Sequence, residues 1–194
     1  MGEIHNTYVT LGASNHSKDD REENDFYATP PKAVDLLFEL ESFDKHIWEP
    51  AAGMKHIAQK FLDKGYDVRC SDIIDRTGDI EICDFLKSNE IWNGDIVTNP
   101  PFKFAKEFVE KALETVTEGH KVVMFLKLQF LETEKRRKLF DKYPIKTIYV
   151  ASNRLGCAKG GDFGGQDNIG SAVCYCWYVW EKGYTGDTKL RFFN

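Results

Sequence analysis

The chain has 194 residues, 42% of them hydrophobic and 29% charged, with a net charge of −5. That length suits one domain with a full hydrophobic core, and no apolar run approaches the ~20 residues of a membrane span. Met1 to Asp25 is polar and acidic rather than laid out as a signal peptide, and the cysteines at 70, 83, 157, 174 and 176 form no Cys-x-x-Cys pair. A disulfide scaffold and a cysteine metal site are therefore disfavoured, and a cytoplasmic protein with reduced thiols and no metal is expected. The acidity argues against tight, sequence-blind binding to nucleic acid, although Lys135-Arg136-Arg137-Lys138 is a basic cluster and Lys103, Arg154 and Lys159 sit in or beside loops.

In chain order, residues 1–24 read as a flexible arm, with the single domain occupying 25–194. Thr29 stands as an N-cap before Pro30-Pro31, opening a helix with a stripe of Val34, Leu37, Phe38 and Phe43. A strand at Ile47-Trp48 ends at Glu49-Pro50 and runs through Ala51-Ala52-Gly53 into a helix from about His56 to Lys64, which Gly65 ends. Strands follow at Asp67–Cys70 and Glu81-Ile82, and then a helix leads to Trp92. The strand Asp95–Thr98 delivers Asn99-Pro100-Pro101-Phe102, and a helix-like stretch runs from Lys103 to Thr117. Lys121–Leu126 is a continuous apolar run of the buried parallel type. A charged helix spans Thr133–Lys142 and a strand Thr147–Ala151. Leu155 to Gly170 is a glycine-rich loop suited to a lid or a connector. Strands at Ser171–Trp180 and Lys189–Phe193, joined by a Gly183…Gly186 turn, predict a C-terminal hairpin. The alternation predicts an α/β fold: a doubly wound, Rossmann-like, mostly parallel sheet with an antiparallel C-terminal hairpin.

Open sheets of this kind bind ligands beyond the carboxyl ends of their strands. The small residues Ala51-Ala52-Gly53 let a backbone approach a ligand, and the helix behind them offers N–H groups. Asp72 lies 72 − 53 = 19 residues beyond Gly53, near the ~20-residue offset at which an acid meets ribose hydroxyls. Asp84-Phe85, after the third strand, offers an acceptor for an adenine amine and a ring to lie beside it. In Asn99-Pro100-Pro101-Phe102, two prolines fix φ and remove two donors, so the Asn side chain and adjacent carbonyls stand as acceptors next to an aromatic face.

These residues carry a resemblance. Asn99-Pro100-Pro101-Phe102 is similar to the motif of amino-methyltransferases, and Pro50-Ala51-Ala52-Gly53 resembles motif I of S-adenosylmethionine-dependent methyltransferases. Asp72-Ile73 resembles motif II, Asp84-Phe85 motif III, and Phe26-Tyr27-Ala28-Thr29-Pro30 motif X, which closes over the methionine end of the cofactor. With Phe125 to Glu132 the likeness extends to the small phage-type DNA N6-adenine methyltransferases and covers roughly residues 25–153. It implies the seven-stranded class I methyltransferase fold. It implies S-adenosylmethionine as cofactor, contacted by Phe26, Tyr27, Thr29, Glu49, Pro50, Ala51, Gly53, Asp72, Ile73, Asp84, Phe85 and Asn99. It also implies methyl transfer to the N6 amine of a DNA adenine flipped from the duplex, with Asn99, Pro100, Pro101 and Phe102 as the catalytic group. Lys103, Arg136, Arg154 and Lys159 are the residues expected against nucleic acid, and Glu49 the partner of the cofactor's α-amino group.

Lys55 departs from the motif, occupying its second glycine position; a lysine there is expected to need negative φ and solvent access. The same amine chemistry is compatible with cytosine-N4, RNA-adenine or protein-glutamine transfer, and the fold with a non-catalytic binder. A monomer and a homodimer both remain compatible with the sequence. The basic helix at 133–142 and the loop at 155–170 are the candidates for target recognition.

Overall fold

The structure is a computed structural model describing residues 27–153, 155–159, 161, 163 and 173–193. The expected arm at 1–24, Phe26 and Arg154 lie outside the described residues.

The elements are β1 (Tyr27–Ala28), α1 (Pro31–Leu40), β2 (His46–Glu49), α2 (His56–Asp63), β3 (Asp67–Asp72), β4 (Glu81–Ile82), β5 (Asp95–Thr98), α3 (Ala105–Thr115), β6 (Lys121–Lys127), α4 (Glu134–Lys142), β7 (Thr147–Ala151), β8 (Ala158–Lys159), β9 (Tyr175–Glu181) and β10 (Lys189–Phe193). Eight of these strands form one sheet in the order β10-β7-β9-β6-β5-β2-β3-β4, while β1 and β8 form a separate ribbon. From β6 through β5, β2 and β3 to β4 every pairing is parallel. The chain leaves β2 toward β3 and β4, then returns to place β5 on the other side. Thus β2 and β5 flank the topological switch point, where such sheets bind ligands.

Strand residues alternate between two cores, as the period of two requires. Ile47, Val97, Val123 and Trp177 pack on one face with Val34 and Leu37 of α1 and Ile57 and Phe61 of α2. Trp48, Ile96, Met124 and Tyr178 pack on the other with Val109, Ala112 and Leu113 of α3 and Leu139 of α4. Burial on both faces explains why β6 reads as an unbroken apolar run. The Trp177 indole donates to the Ala33 carbonyl at 2.9 Å, pinning α1 to the sheet.

Three local expectations need correction. The N-cap of α1 is Pro30, with no side-chain cap; Thr29 stands one residue before the cap and is buried, 2% exposed. The stretch after Asp84 forms only a 3-10 turn, Phe85–Lys87, because the Phe85 ring is held in the core and Glu90 is drawn outward to Arg69. Finally, the arms of the C-terminal hairpin run antiparallel, but β7 is inserted between them: β9 pairs antiparallel with both β6 and β7, and β10 pairs parallel with β7. Seven residues, 182–188, separate the arms, enough to step across two strand spacings of ~4.8 Å each. Tyr175–Trp180 is buried throughout, as an interior strand must be. The sheet holds the eight strands read along the chain, one more than the seven-stranded fold that the resemblance implies.

Candidate active site

The turn after β2 is built by positive φ at two positions, Gly53 (+54°) and Lys55 (+62°). Lys55 therefore takes the left-handed conformation a glycine would take, and the expectation of negative φ is overturned. Its ammonium turns to Asp79 at 2.5 Å, which raises its pKa and neutralises the cation away from the turn. The Gly53 N–H donates to Asp72 Oδ2 at 2.9 Å, and the Ala52 N–H to the Ser71 carbonyl at 3.0 Å. The ends of β2 and β3 are thereby locked together. Pro50 and Glu49 are buried and Ala51 half-buried. Glu49 Oε2 accepts the Ala58 N–H in the first turn of α2 at 2.7 Å. Burial pushes its carboxyl well above the usual range; the Ala58 bond opposes this and the Asp72 charge adds to it.

Asp72 is 9% exposed. Its Oδ1 receives the Ile74 N–H at 3.2 Å and faces Arg76 at 3.6 Å. Ile73 is 55% exposed at the same strand end. Asp84 is half-buried and pairs with Lys87 at 2.7 Å. Phe85 corrects its expected role. The ring is 1% exposed, edge-on to Trp48 at 5.2 Å and 5.3 Å from Phe108. Vacating such a site costs about 3–5 kcal/mol, more than the ~1–3 kcal/mol a base stack returns. Phe85 is a core residue.

Asn99 follows directly on β5. Its Nδ2 donates to the Tyr27 carbonyl at 2.7 Å and approaches Cys157 Sγ at 3.7 Å. The amide is thus oriented by the β1–β8 ribbon, in which Tyr27 faces Lys159 and Ala28 faces Ala158. Among the described residues, Asn99 Oδ1 is buried without a hydrogen-bond partner, as are the hydroxyls of Thr29 and Thr98. An unmet buried acceptor costs about 1–3 kcal/mol, which a donor from a ligand would recover. Pro100 is buried and Pro101 half-buried, and the Pro101 carbonyl accepts the Phe104 N–H. Phe102 stacks on Tyr27 with centroids 5.4 Å apart and 27° between planes, lies 5.9 Å from Tyr175, and carries Lys127 Nζ 4.5 Å from its centroid. Burial pushes the Cys157 thiol up to about 12, with hydrogen bonds from Tyr175 and Asn99 acting the other way.

Of the residues expected against nucleic acid, Lys103 is exposed beside the Asn99–Phe102 loop, with Nζ 5.2 Å from the Phe104 ring. Arg136, in the first turn of α4, donates to the Gln129 carbonyl at 2.9 Å. Lys159 is in β8 and its side chain lies outside the described residues. Glu81, Cys83 and Glu90 place donor atoms within 4.8 Å of one another, but Arg69 holds both carboxylates, which makes the group an ion-pair cluster. Sequence reasoning missed Cys157, Tyr175, Lys127 and Phe163, whose ring meets His56 at the start of α2 at 5.4 Å. Lys127 had a signal, as a cation ending a buried strand on the ligand side. The contacts of Cys157 and Phe163 come from a loop with no periodicity to read.

The strand order and the site at its switch point define the class I methyltransferase fold. A protein from Listeria monocytogenes, named as a class I S-adenosylmethionine-dependent methyltransferase, superposes with a TM-score of 0.60 at 15% identity over 85% of this chain and 65% of its own. A protein from Pyrococcus horikoshii named as an RNA methyltransferase gives 0.55 at 16% over 80% and 86%. A Vibrio vulnificus protein named as the modification subunit of a type I restriction enzyme gives 0.58 at 12% over 84% and 45%. The chain thus spans less than two thirds of the Listeria protein and under half of the Vibrio one. No protein-family model matches the chain, and no curated protein matches its sequence. Among the described residues no helix is long and apolar enough to cross a membrane.

Proposed function

We propose that this protein transfers a methyl group from S-adenosylmethionine to the N6 amine of adenine in DNA. The observation that carries the reading is the Asn99 side chain: Nδ2 is committed to the Tyr27 carbonyl, so Oδ1 is left buried, fixed in direction and lacking a donor. An exocyclic amine supplies that donor.

The residues at the β2 and β3 ends suit the cofactor. Gly53 at φ +54° presents a backbone without a side chain, and Asp72 and exposed Ile73 stand where a ribose and an adenine face would lie. The buried carboxyl of Glu49, raised chiefly by burial, suits a cationic amino group as its partner. Asp84 remains for the adenine amine, while Phe85 does not contribute. When bound, S-adenosylmethionine supplies an electrophilic methyl on sulfur. Asn99 Oδ1 accepts a hydrogen bond from the target amine, with the Pro100 carbonyl as the second acceptor, and draws the nitrogen lone pair out of ring conjugation. Transfer would exchange the donor's C–S bond for the new N–C bond, and the surplus amine proton would pass to water. Most of the rate comes from orientation and fixed dipoles. Phe102 stacks on the base, which leaves its helix to reach the site; the Tyr27 ring covers a face of Phe102, so that side chain has to swing aside as the base enters while the Tyr27 carbonyl keeps its bond to Asn99. Lys103 and Arg136 serve the strand around it.

Transfer of a radiolabelled methyl group to unmethylated DNA, with RNA in parallel, tests the reading. Nucleoside mass spectrometry should find N6-methyladenine in the DNA. Label in RNA alone, label as N4-methylcytosine, or nucleic acid left unlabelled would each overturn it.

A further inference from the structure

Next to Phe102, on the side of β6 and α4, lies a cleft of about 70 Å³ lined by Phe102, Ala105, Leu126, Lys127, Phe130 and Arg136. Two cations line it, and both are held over rings rather than against acids. Lys127 Nζ is 4.5 Å from the Phe102 centroid, and the Arg136 guanidinium is 4.8 Å from that of Phe130. The Arg136 bond to the Gln129 carbonyl fixes the guanidinium further.

Several neighbouring cations are met by carboxylates: Lys106 by Glu110, Arg137 by Asp141 and Lys138 by Glu134. Among the described residues, no carboxylate pairs with Lys127 or Arg136. In a chain with 31 acidic and 26 basic residues, two cations kept apart from acids and converging on one cleft call for an anionic ligand.

We infer that Lys127 and Arg136 form a phosphodiester subsite that holds the backbone of a nucleic-acid strand beside the amine-accepting Asn99. This deepens the proposed function, resting on it for the identity of the neighbouring base, and it disfavours a protein amide or a free nucleoside as substrate. Ala105 and Leu126 form an apolar floor beneath the two half-buried cations, whose bonds to phosphate are charge-assisted. Arg136 supplies the planar fork and Lys127 the point charge.

The test is fluorescence anisotropy of a labelled single-stranded DNA oligonucleotide, without cofactor, across about 50 to 200 mM salt. The Lys127→Gln/Arg136→Gln pair should weaken binding roughly tenfold and flatten the log K against log salt slope by about 0.7, the loss of one neutralised phosphate. The charge-keeping Lys127→Arg/Arg136→Lys pair should retain the slope. Lys189→Gln, a one-charge loss at the opposite end of the sheet, should change neither quantity. An unchanged slope in the Gln pair, an equal loss in Lys189→Gln, or loss of slope in the charge-keeping pair overturns the subsite. Because no turnover is read, the subsite can stand where methyl transfer fails; transfer with an unaltered slope would leave the amine chemistry standing and remove the subsite.

Discussion

Asn99 and Tyr27, 72 positions apart, share a 2.7 Å hydrogen bond that points the Asn99 carboxamide oxygen into a buried space. The residue proposed to handle the amine therefore takes its direction from the ribbon that covers the site. Asn99→Ala should lower methyl transfer by about 10²–10³-fold, the cost of removing one preorganised hydrogen-bonding group, while cofactor affinity from calorimetry stays within a few-fold. Weakened cofactor binding with unchanged turnover at saturation would assign Asn99 to the cofactor instead.

Phe102 is proposed to hold the base by its face. Phe102→Ala should raise KM for oligonucleotide about 10–100-fold, the equivalent of a lost base stack, with kcat changed far less. Wild-type kcat/KM would exclude stacking at this position.

Glu49 carries a pH prediction. Its carboxyl is raised above its ordinary 4.5, chiefly by burial. Such a group binds more protons folded than unfolded, so it removes stability as pH rises above 4.5, and the loss is complete above the raised folded value. Glu49→Gln keeps an acceptor for the Ala58 N–H and deletes the buried charge. It should melt a few degrees above the parent at pH 8, with the difference shrinking toward pH 4, yet bind S-adenosylmethionine at least about tenfold more weakly. A variant that melts lower at both pH values would contradict this.

Lys55 sits at φ +62°, a conformation that costs an L-residue about 1–2 kcal/mol. Glycine relieves that strain but loosens the unfolded chain by about 0.4–1 kcal/mol and removes the ion pair to Asp79. Lys55→Gly should therefore melt within about 4 °C of the parent, whereas β-branched Lys55→Ile should melt well below it. Cofactor affinity in the Gly variant should stay within a few-fold, because the ammonium already faces Asp79; a gain above tenfold would show that the side chain obstructs the site.

Much of this arrangement was legible in the chain because it is local. A strand end followed by small residues, an acid at the right offset and a Pro-Pro lock are short-range patterns, and Glu49, Gly53, Asp72 and Asn99 stand at neighbouring strand ends of the sheet. What escaped is set by distant partners. The turn between β9 and β10 looks like that of a hairpin from either side, and only β7 decides otherwise. Phe85 reads as a ligand ring until Trp48 and Phe108 enclose it. Lys55 violates its φ preference because the turn between β2 and α2 imposes it, and nothing in the neighbouring residues announces that. Cys157 reaches Asn99 across 58 positions, from a segment whose glycines give no pattern.

The place of β9 has a consequence for biosynthesis. β6 and β7 never touch edge to edge; each pairs with a strand made later, at separations of 48 positions (Lys127 to Tyr175) to 60 (Lys121 to Glu181) on the β6 side. A polypeptide that has left the ribosome only as far as β7 exposes two bare apolar edges with a one-strand gap between them, the kind of surface that invites wrong partners. The nascent protein should depend on chaperones until β9 and β10 emerge, because its sheet can close only once β9 fills the gap between β6 and β7.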